Sequence, residues 1–466
     1  MSARRGRRSL RIAAAATALG LLVSVSAQLT AAADPADLRI EPVPALTLPP
    51  ELDEFYAPTA GVVAAAAPGQ VLRVRAIAPA FFGLAHLNVD AWQLLYRTTN
   101  SFGEAIATVT TVLKPRGARP EGGRKLLSYQ IAEDSAAQYC APSYVIQAGS
   151  IPADYVNAAE VLIPIAAGIG QGWTVVLPDY EGPNSAYGVS RITAQATLDG
   201  IRAVQSFEPA QLSGAATPTA LWGYSGGTVP SSFAAEIAGE YAPELNIVGV
   251  AAGGVAAADW AGALRHNNRG LYTGLLTGVI AGLMNEYPEV RRVVREEVDP
   301  LGQFLIGTKF VLCHPMGTAL VPFYDIFAAF RGGDPLSHPV VQRVIAENSL
   351  GQRTPSVPVY IYHAQNDEIL PGAGVDRLVE KYCAENAPSV TYVRELLAEH
   401  ISGVLTHLPG AFYWLRDRLD SVPAQPGCAI TSPATVVTDP EFAQGLTELV
   451  PTAVQAIVGQ AIGANR

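Results

Sequence analysis

The spacing of nine short strand-like runs constrains this chain more than any other feature of its sequence. The runs at residues 71–75, 92–98 and 106–113 are joined by connections too short for helices, so they are expected to be consecutive antiparallel strands. A fourth run follows at 126–131. From there the rhythm changes: runs at 173–177, 219–222, 247–250, 357–362 and 390–394 are separated by stretches long enough for helices, as a parallel sheet requires. The chain therefore reads as an α/β fold, a mostly parallel sheet with antiparallel N-terminal strands. One interval departs from the pattern. About 100 residues separate the runs ending near Val250 and starting near Val357, and they carry helical patterns at 271–283 and 288–298. A helical cap or lid inserted at 255–350 is expected there. In it Gly270, Gly274, Gly278 and Gly282 recur at every fourth position and form a smooth ridge. Such a ridge suits close helix packing in the first place and an acyl chain in the second. Each glycine weakens a helix by roughly 1 kcal/mol relative to alanine, so this helix needs packing partners.

The sharpest local feature is Gly223-Tyr224-Ser225-Gly226-Gly227, a G-x-S-x-G sequence placed between the run at 219–222 and a helix-like stretch at 231–241. A nucleophilic serine on a sharp turn from strand to helix needs glycines beside it, because side chains there would collide with the neighbouring strand or helix. The same turn aims the first N–H groups of the helix at a developing oxyanion. Combined with the strand rhythm, this predicts an α/β-hydrolase fold.

A serine hydroxyl is a poor nucleophile at neutral pH, so a histidine base must reach it and a carboxylate must hold the histidine tautomer. The chain order in this fold is serine, acid, histidine. Asp367 follows the strand-like run at 357–362 in His363-Ala364-Gln365-Asn366-Asp367-Glu368, where a loop presents a carboxylate at the carboxyl edge of the sheet. Glu368 is the rival acid, expected to point elsewhere in the turn. His400 falls between the run ending near Arg394 and a helix expected at about 404–419, and a loop position there can reach Ser225. His407 would lie inside that helix and reads as structural. His86, His266, His314, His338 and His363 show no metal-ligand spacing and are assigned structural roles. No metal or organic cofactor is called for. The first oxyanion donor is the N–H of Gly226. The second is expected from residues 131–135, where Asp134 can contribute its backbone N–H or, if burial raises its pKa, a protonated carboxyl.

The N-terminus places Arg4, Arg5, Arg7, Arg8 and Arg11 before an apolar stretch and then Ala31-Ala32-Ala33. This is the pattern of a signal peptide over residues 1–33, cleaved near Ala33, so secretion to the extracellular space is expected. The apolar stretch is too short and too alanine-rich for a stable membrane span. The two arginine pairs leave the export route open. Without the leader, 26 basic residues face 41 acidic ones, which argues against nucleic acid as a partner. With 49% apolar and 15% charged residues, a large buried core is expected. The four cysteines, Cys140, Cys313, Cys383 and Cys428, suit two disulfides in an exported chain, with three pairings possible. The organisation expected is a leader (1–33), a first core part (34–254), the cap (255–350), a second core part carrying acid and base (351–430) and an unassigned C-terminal segment (431–466).

Four stretches resemble the secretory triacylglycerol lipases of the lipase A type. They are residues 91–97, Ser128-Tyr129-Gln130 with Glu133-Asp134-Ser135 and Cys140-Ala141-Pro142-Ser143-Tyr144, Pro178-Asp179-Tyr180-Glu181-Gly182-Pro183, and the serine elbow itself. The resemblance extends over most of the mature chain. It implies Ser225, Asp367 and His400 as a triad, Asp134 and Gly226 at the oxyanion hole, disulfides Cys140–Cys313 and Cys383–Cys428, and a lipid or ester substrate met at a lipid–water interface. The glycine ridge matches no motif of the family.

Overall fold

The computed structural model describes residues 38–464, and the expected leader lies outside them. Eleven strands form one sheet: β1 (Ile40–Glu41), β2 (Val71–Ala76), β3 (Asp90–Thr99), β4 (Ala105–Lys114), β5 (Leu126–Gln130), β6 (Thr174–Pro178), β7 (Thr219–Tyr224), β8 (Ile247–Gly253), β9 (Val359–Ala364), β10 (Ser389–Glu395) and β11 (Gly427–Thr431). Their order across the sheet is β1-β2-β3-β4-β6-β5-β7-β8-β9-β10-β11. The pairs β2/β3, β3/β4 and β4/β6 are antiparallel and the rest are parallel. The β3–β4 hairpin closes where Asn100 Oδ1 accepts from the N–H groups of Phe102 and Glu104, an Asx-type turn with Gly103 at φ +84°. Strands β5, β6, β7 and β9 are buried along their whole length. That is why their sequences run apolar instead of alternating: helices cover both faces.

On one face lie α2 (Ser190–Gln205), α3 (Thr228–Tyr241) and α10 (Gly372–Ala384), represented in the core by Leu198, Phe233 and Leu378. On the other lie α1 (Tyr155–Gly170), α11 (His400–Leu419) and α12 (Pro440–Ile457), represented by Ile165, Phe412 and Leu449. The segment after residue 431, unassigned by sequence, thus carries a helix packed on the second face. Strand β11 runs across the boundary expected at 430.

Between β8 and β9 the chain forms α4 (Trp260–Asn267), α5 (Thr273–Glu286), α6 (Pro288–Glu297), α7 (Pro300–Gly307), α8 (His314–Ala319) and α9 (Pro339–Asn348). They enclose an apolar cluster that includes Leu276, Val293, Val298, Ile306 and Val344. Three of the four ridge glycines lie on α5 and Gly270 lies ahead of it. A Cβ on Gly274 would sit 2.3 Å from the Thr318 Cα, and one on Gly282 would sit 2.2 Å from the Tyr187 carbonyl oxygen. At Gly274 and Gly282 the ridge meets protein backbone and at Gly278 the Tyr187 ring, the packing role expected first. Disulfide Cys140–Cys313 ties the insertion to the segment after β5, and Cys383–Cys428 ties α10 to β11. Closing loops this long contributes about 4–5 kcal/mol per bridge.

Candidate active site

Strand register brings the site together. Gln130, the last residue of β5, pairs with Gly223 of β7, and Tyr224 pairs with Gly253 of β8. Gly253 in turn aligns with Tyr362 of β9, and Ala364 with Glu395 of β10. Five strands thus end close to level, and the loops leaving them share one edge. At the end of β7 the chain turns sharply into α3 with Ser225 at φ +51°, a left-handed conformation costly for a side chain other than glycine. The glycines make the turn possible. A Cβ at Gly223 would lie 2.1 Å from the Gly227 carbonyl oxygen, and one at Gly227 would lie 2.0 Å from that of Gln130.

Asp367 stands three residues past β9. Its Oδ1 accepts from the N–H groups of Ile369 (3.0 Å) and Leu370 (2.6 Å). Its Oδ2 lies 2.7 Å from His400 Nδ1, and His400 Nε2 lies 2.9 Å from Ser225 Oγ. The three side chains chosen from sequence therefore form one hydrogen-bonded line. His400 is not in a loop, however. It is the first residue of α11, which starts four residues earlier than the sequence suggested because Glu399 caps it, accepting from the N–H groups of Ile401 (2.8 Å) and Ser402 (2.7 Å). Tyr224 fixes the same turn by donating to the His400 carbonyl oxygen at 2.7 Å. Burial alone would raise the Asp367 carboxyl, but the hydrogen bond and charge of His400, with His363 behind, hold it below its ordinary value. Burial pulls His400 down, and Asp367, then the charges of Glu368 and Asp134, lift it above the usual histidine range.

The other histidines are placed otherwise. His363 is buried and meets the Leu370 carbonyl oxygen at 2.9 Å, with Asp367 Oδ2 3.7 Å away. His407 lies inside α11 and faces Glu395 at 3.1 Å. Glu368, the rival acid, is not idle: its Oε2 accepts from the His400 backbone N–H at 2.7 Å.

On the other side of Ser225 the loop after β5 folds back with Asp134 at φ +47°. A Cβ on Gly226 would come 1.7 Å from Asp134 Oδ1, so that oxygen rests directly on the glycine α-carbon. Oδ1 has no hydrogen-bond partner among the described residues, while the Tyr187 hydroxyl bonds to the carboxyl. Burial raises the Asp134 pKa to about 7, against the lowering effects of His400 and Tyr187. The loop is pinned from several directions. Tyr180 donates to the Ile131 carbonyl oxygen at 2.5 Å, Ser135 Oγ accepts from the His314 N–H of the insertion at 2.8 Å, and Cys140–Cys313 follows. Behind it lie Glu133 and Glu181, wholly buried, whose carboxyl oxygens have no hydrogen-bond partner among the described residues. Burial first, and neighbouring acids second, push both far above the ordinary glutamate range. Sequence reading found the loop but assigned these glutamates nothing. Their signal was their place in two of the stretches that carry the family resemblance. Among the described residues no group of three or more His, Cys, Asp or Glu side chains is arranged to hold a metal ion, and no helix is long and apolar enough to cross a membrane.

A mostly parallel sheet, a strained serine elbow at its carboxyl edge and an inserted set of helices define an α/β-hydrolase. Comparison with known proteins places it more closely. The secretory lipase family model matches residues 153–427. Lipase A of Arthroderma benhamiae is 35% identical over 429 residues, 89% of each chain. A Mycobacterium tuberculosis protein described as a probable inactive lipase is 37% identical over 417 residues, 88% of this chain and 91% of its own. The closed-state crystal structure of Candida antarctica lipase A superposes with a TM-score of 0.80 at 28% identity, over 90% of this chain and 99% of that one. The chain belongs to the secretory triacylglycerol lipase family and is a lipase-type hydrolase.

Proposed function

We propose that the protein is a secreted lipase that hydrolyses fatty-acid esters such as triacylglycerols through Ser225, His400 and Asp367 and an acyl-enzyme. The observation that carries this reading is the unbroken contact line from Ser225 Oγ through both imidazole nitrogens to Asp367 Oδ2. His400 Nε2 takes the Ser225 proton as Oγ attacks the ester carbonyl, and Asp367 holds Nδ1–H and balances the imidazolium. The tetrahedral oxyanion is met by the Gly226 N–H and by Asp134, whose unpartnered Oδ1 carries a proton below about pH 7 and donates it in a hydrogen bond. His400 then protonates the departing alcohol. Water, deprotonated by the same nitrogen, attacks the acyl-enzyme carbonyl and releases the fatty acid.

A lipid substrate, as opposed to a small soluble ester, is favoured by the insertion. Residues 300–324 contain no acidic residue in a strongly acidic chain, and they expose Leu301, Phe304, Val311, Met316, Leu320 and Phe323, each by half or more. A patch of that kind marks a surface that meets something apolar. It borders the site: Phe323 N–H bonds to Gly270 O, and Tyr272 reaches Glu368 beside the triad. The test is hydrolysis of p-nitrophenyl esters from acetate to palmitate alongside emulsified triolein, with Ser225→Ala as control. Rates that climb with chain length and on triolein, and vanish in the variant, support the lipase. Activity confined to short esters makes it a carboxylesterase, transfer to an added alcohol an acyltransferase, and unchanged rates in Ser225→Ala sink the assignment. In the double variant Phe304→Ser/Phe323→Ser, triolein hydrolysis is expected to fall several-fold while p-nitrophenyl acetate turnover is kept.

A further inference from the structure

His400 is the first residue of the twenty-residue helix α11. A helix N-terminus carries roughly half a positive charge, so this is an unfavourable place for a group that becomes an imidazolium on every turnover. The structure places two carboxylates against that end. Glu399 caps the helix through Ile401 N–H and Ser402 N–H. Glu368 comes from the β9–α10 loop, 32 residues earlier in the chain, and its Oε2 takes the N–H of His400 itself at 2.7 Å. The same carboxylate is approached by the Tyr272 hydroxyl at 3.4 Å, and the Glu368 carbonyl oxygen meets His266 Nε2 at 3.0 Å, both in the insertion.

We propose that Glu368 is a positioning residue for the reaction, a second carboxylate that fixes His400 by its backbone and offsets the dipole of α11, leaving Asp367 free to act on the ring. The inference rests on the reading of His400 as the base. The geometry gives the two acids separate tasks. Asp367 contacts Nδ1 and sets the tautomer, whereas Glu368 contacts the main chain and acts on the ring only through its charge. The charge of Glu368 does contribute to raising His400, after the larger effects of Asp367. The groups facing this junction are His363 from β9, Asp367 and Glu368 from the β9–α10 loop, Glu399 and His400 from α11, Tyr272 and His266 from the insertion, Tyr224 from β7 and Asp134 from the loop after β5. With this many carboxyls around it, the histidine cation is stabilised by excess negative charge.

The experiment is the pH dependence of covalent labelling of Ser225 by a fluorophosphonate, a reaction of the free enzyme that requires neutral His400. Removing the Glu368 charge lowers the His400 pKa, so the acid limb of the labelling rate moves to lower pH. For Glu368→Gln, whose amide oxygen still accepts the His400 N–H, the limb is expected to shift down by ~0.5 pH unit, with KM for p-nitrophenyl butyrate within about twofold of wild type. Glu368→Ala removes the acceptor as well, and kcat is expected to drop about tenfold further with the thermal midpoint checked in parallel. An acid limb in Glu368→Gln that coincides with wild type overturns the proposal, whatever the alanine variant does. Failure of the underlying reading looks different: wild type itself then takes no label at Ser225.

Discussion

Two groups of carboxyls, buried to similar depth, are held in different states, one ionised and the other protonated. On the histidine side, Asp367 receives two backbone N–H groups and an imidazole, and Glu395 receives Thr406 Oγ1 (2.9 Å), Thr435 Oγ1 (2.7 Å) and the Val436 N–H (3.0 Å). Burial opposes ionisation in both, but the donors win, and Glu395 is held down at about 2 by His407 first and by Thr435, Val436 and Thr406 after it. On the oxyanion side Glu133 and Glu181 receive no hydrogen bond from the described residues, and Asp134 Oδ1 none. There burial wins and the protons stay on. Between these two groups, buried to similar depth, the supply of donors makes the difference. The difference suits the proposed chemistry, which develops a cation at His400 and an anion next to Asp134. A carboxylate is useful beside the first and harmful beside the second.

The contrast breaks most severely at Asp367. Asp367→Asn keeps the volume but favours the wrong imidazole tautomer, and kcat on p-nitrophenyl butyrate is expected to fall by about 10⁴ with little change in KM. A loss under tenfold would mean that the charge on this side does not matter. Asp134→Asn probes the opposite side. The asparagine amide donates at every pH, whereas the native carboxyl stops donating once it ionises near pH 7. Wild-type kcat is therefore expected to decline through pH 7–9, by ~10-fold or more, while the variant stays level over the same range. Parallel declines in both proteins would return the second donor role to the Asp134 backbone N–H. Glu395→Leu leaves three donors near His407 without an acceptor and is expected to lower stability by ~3 kcal/mol in denaturant unfolding. It should also loosen the segment from Pro433 to Val436, which Glu395 and the backbone of Leu396 and Leu397 hold in place.

The two sides were not equally legible in the sequence. Ser225, Asp367 and His400 could be read because each stands at the end of a recognisable strand and their chain order is fixed by the fold. The strained turn even required glycines that show as letters. The start of α11 was misplaced because no serine, threonine, aspartate or asparagine marks it; the cap is Glu399, a residue type seldom used that way. The role of Glu368 was hidden because its target is a main-chain N–H 32 residues away, and a backbone group leaves no mark on composition. The strand register that stacks Gln130 beside Gly223 likewise emerges only from pairing. Buried Glu133 and Glu181 were the least legible, since a sequence does not show which glutamates lose their solvent.

Those two glutamates allow the smallest and most direct test of the contrast. A carboxyl whose pKa is raised by folding stabilises the native state below its unfolded pKa and withdraws that stability as pH rises toward its folded pKa. Glu133 and Glu181 are raised well above their ordinary value, and Asp134 and Asp179 to about 7. The acids they face are one another and Asp154, with Tyr180 and Tyr187 alongside. The depressed acids, Asp367 and Glu395, act in the opposite sense, but their contribution is lost only as pH falls below ~4. Buried His314, drawn down by burial to about 4, and buried His363 oppose this trend up to about pH 6.5, so between pH 6.5 and 8 the raised acids govern and the wild-type thermal midpoint is expected to fall across that interval. Glu133→Gln and Glu181→Gln each remove one titration, so each should flatten the slope and gain on the order of 1–2 kcal/mol at pH 8 while changing little at pH 5. A midpoint that rises from pH 6.5 to 8 in wild type would mean that these glutamates are ionised in the native protein, and the charge asymmetry across Ser225 would then have to be redrawn.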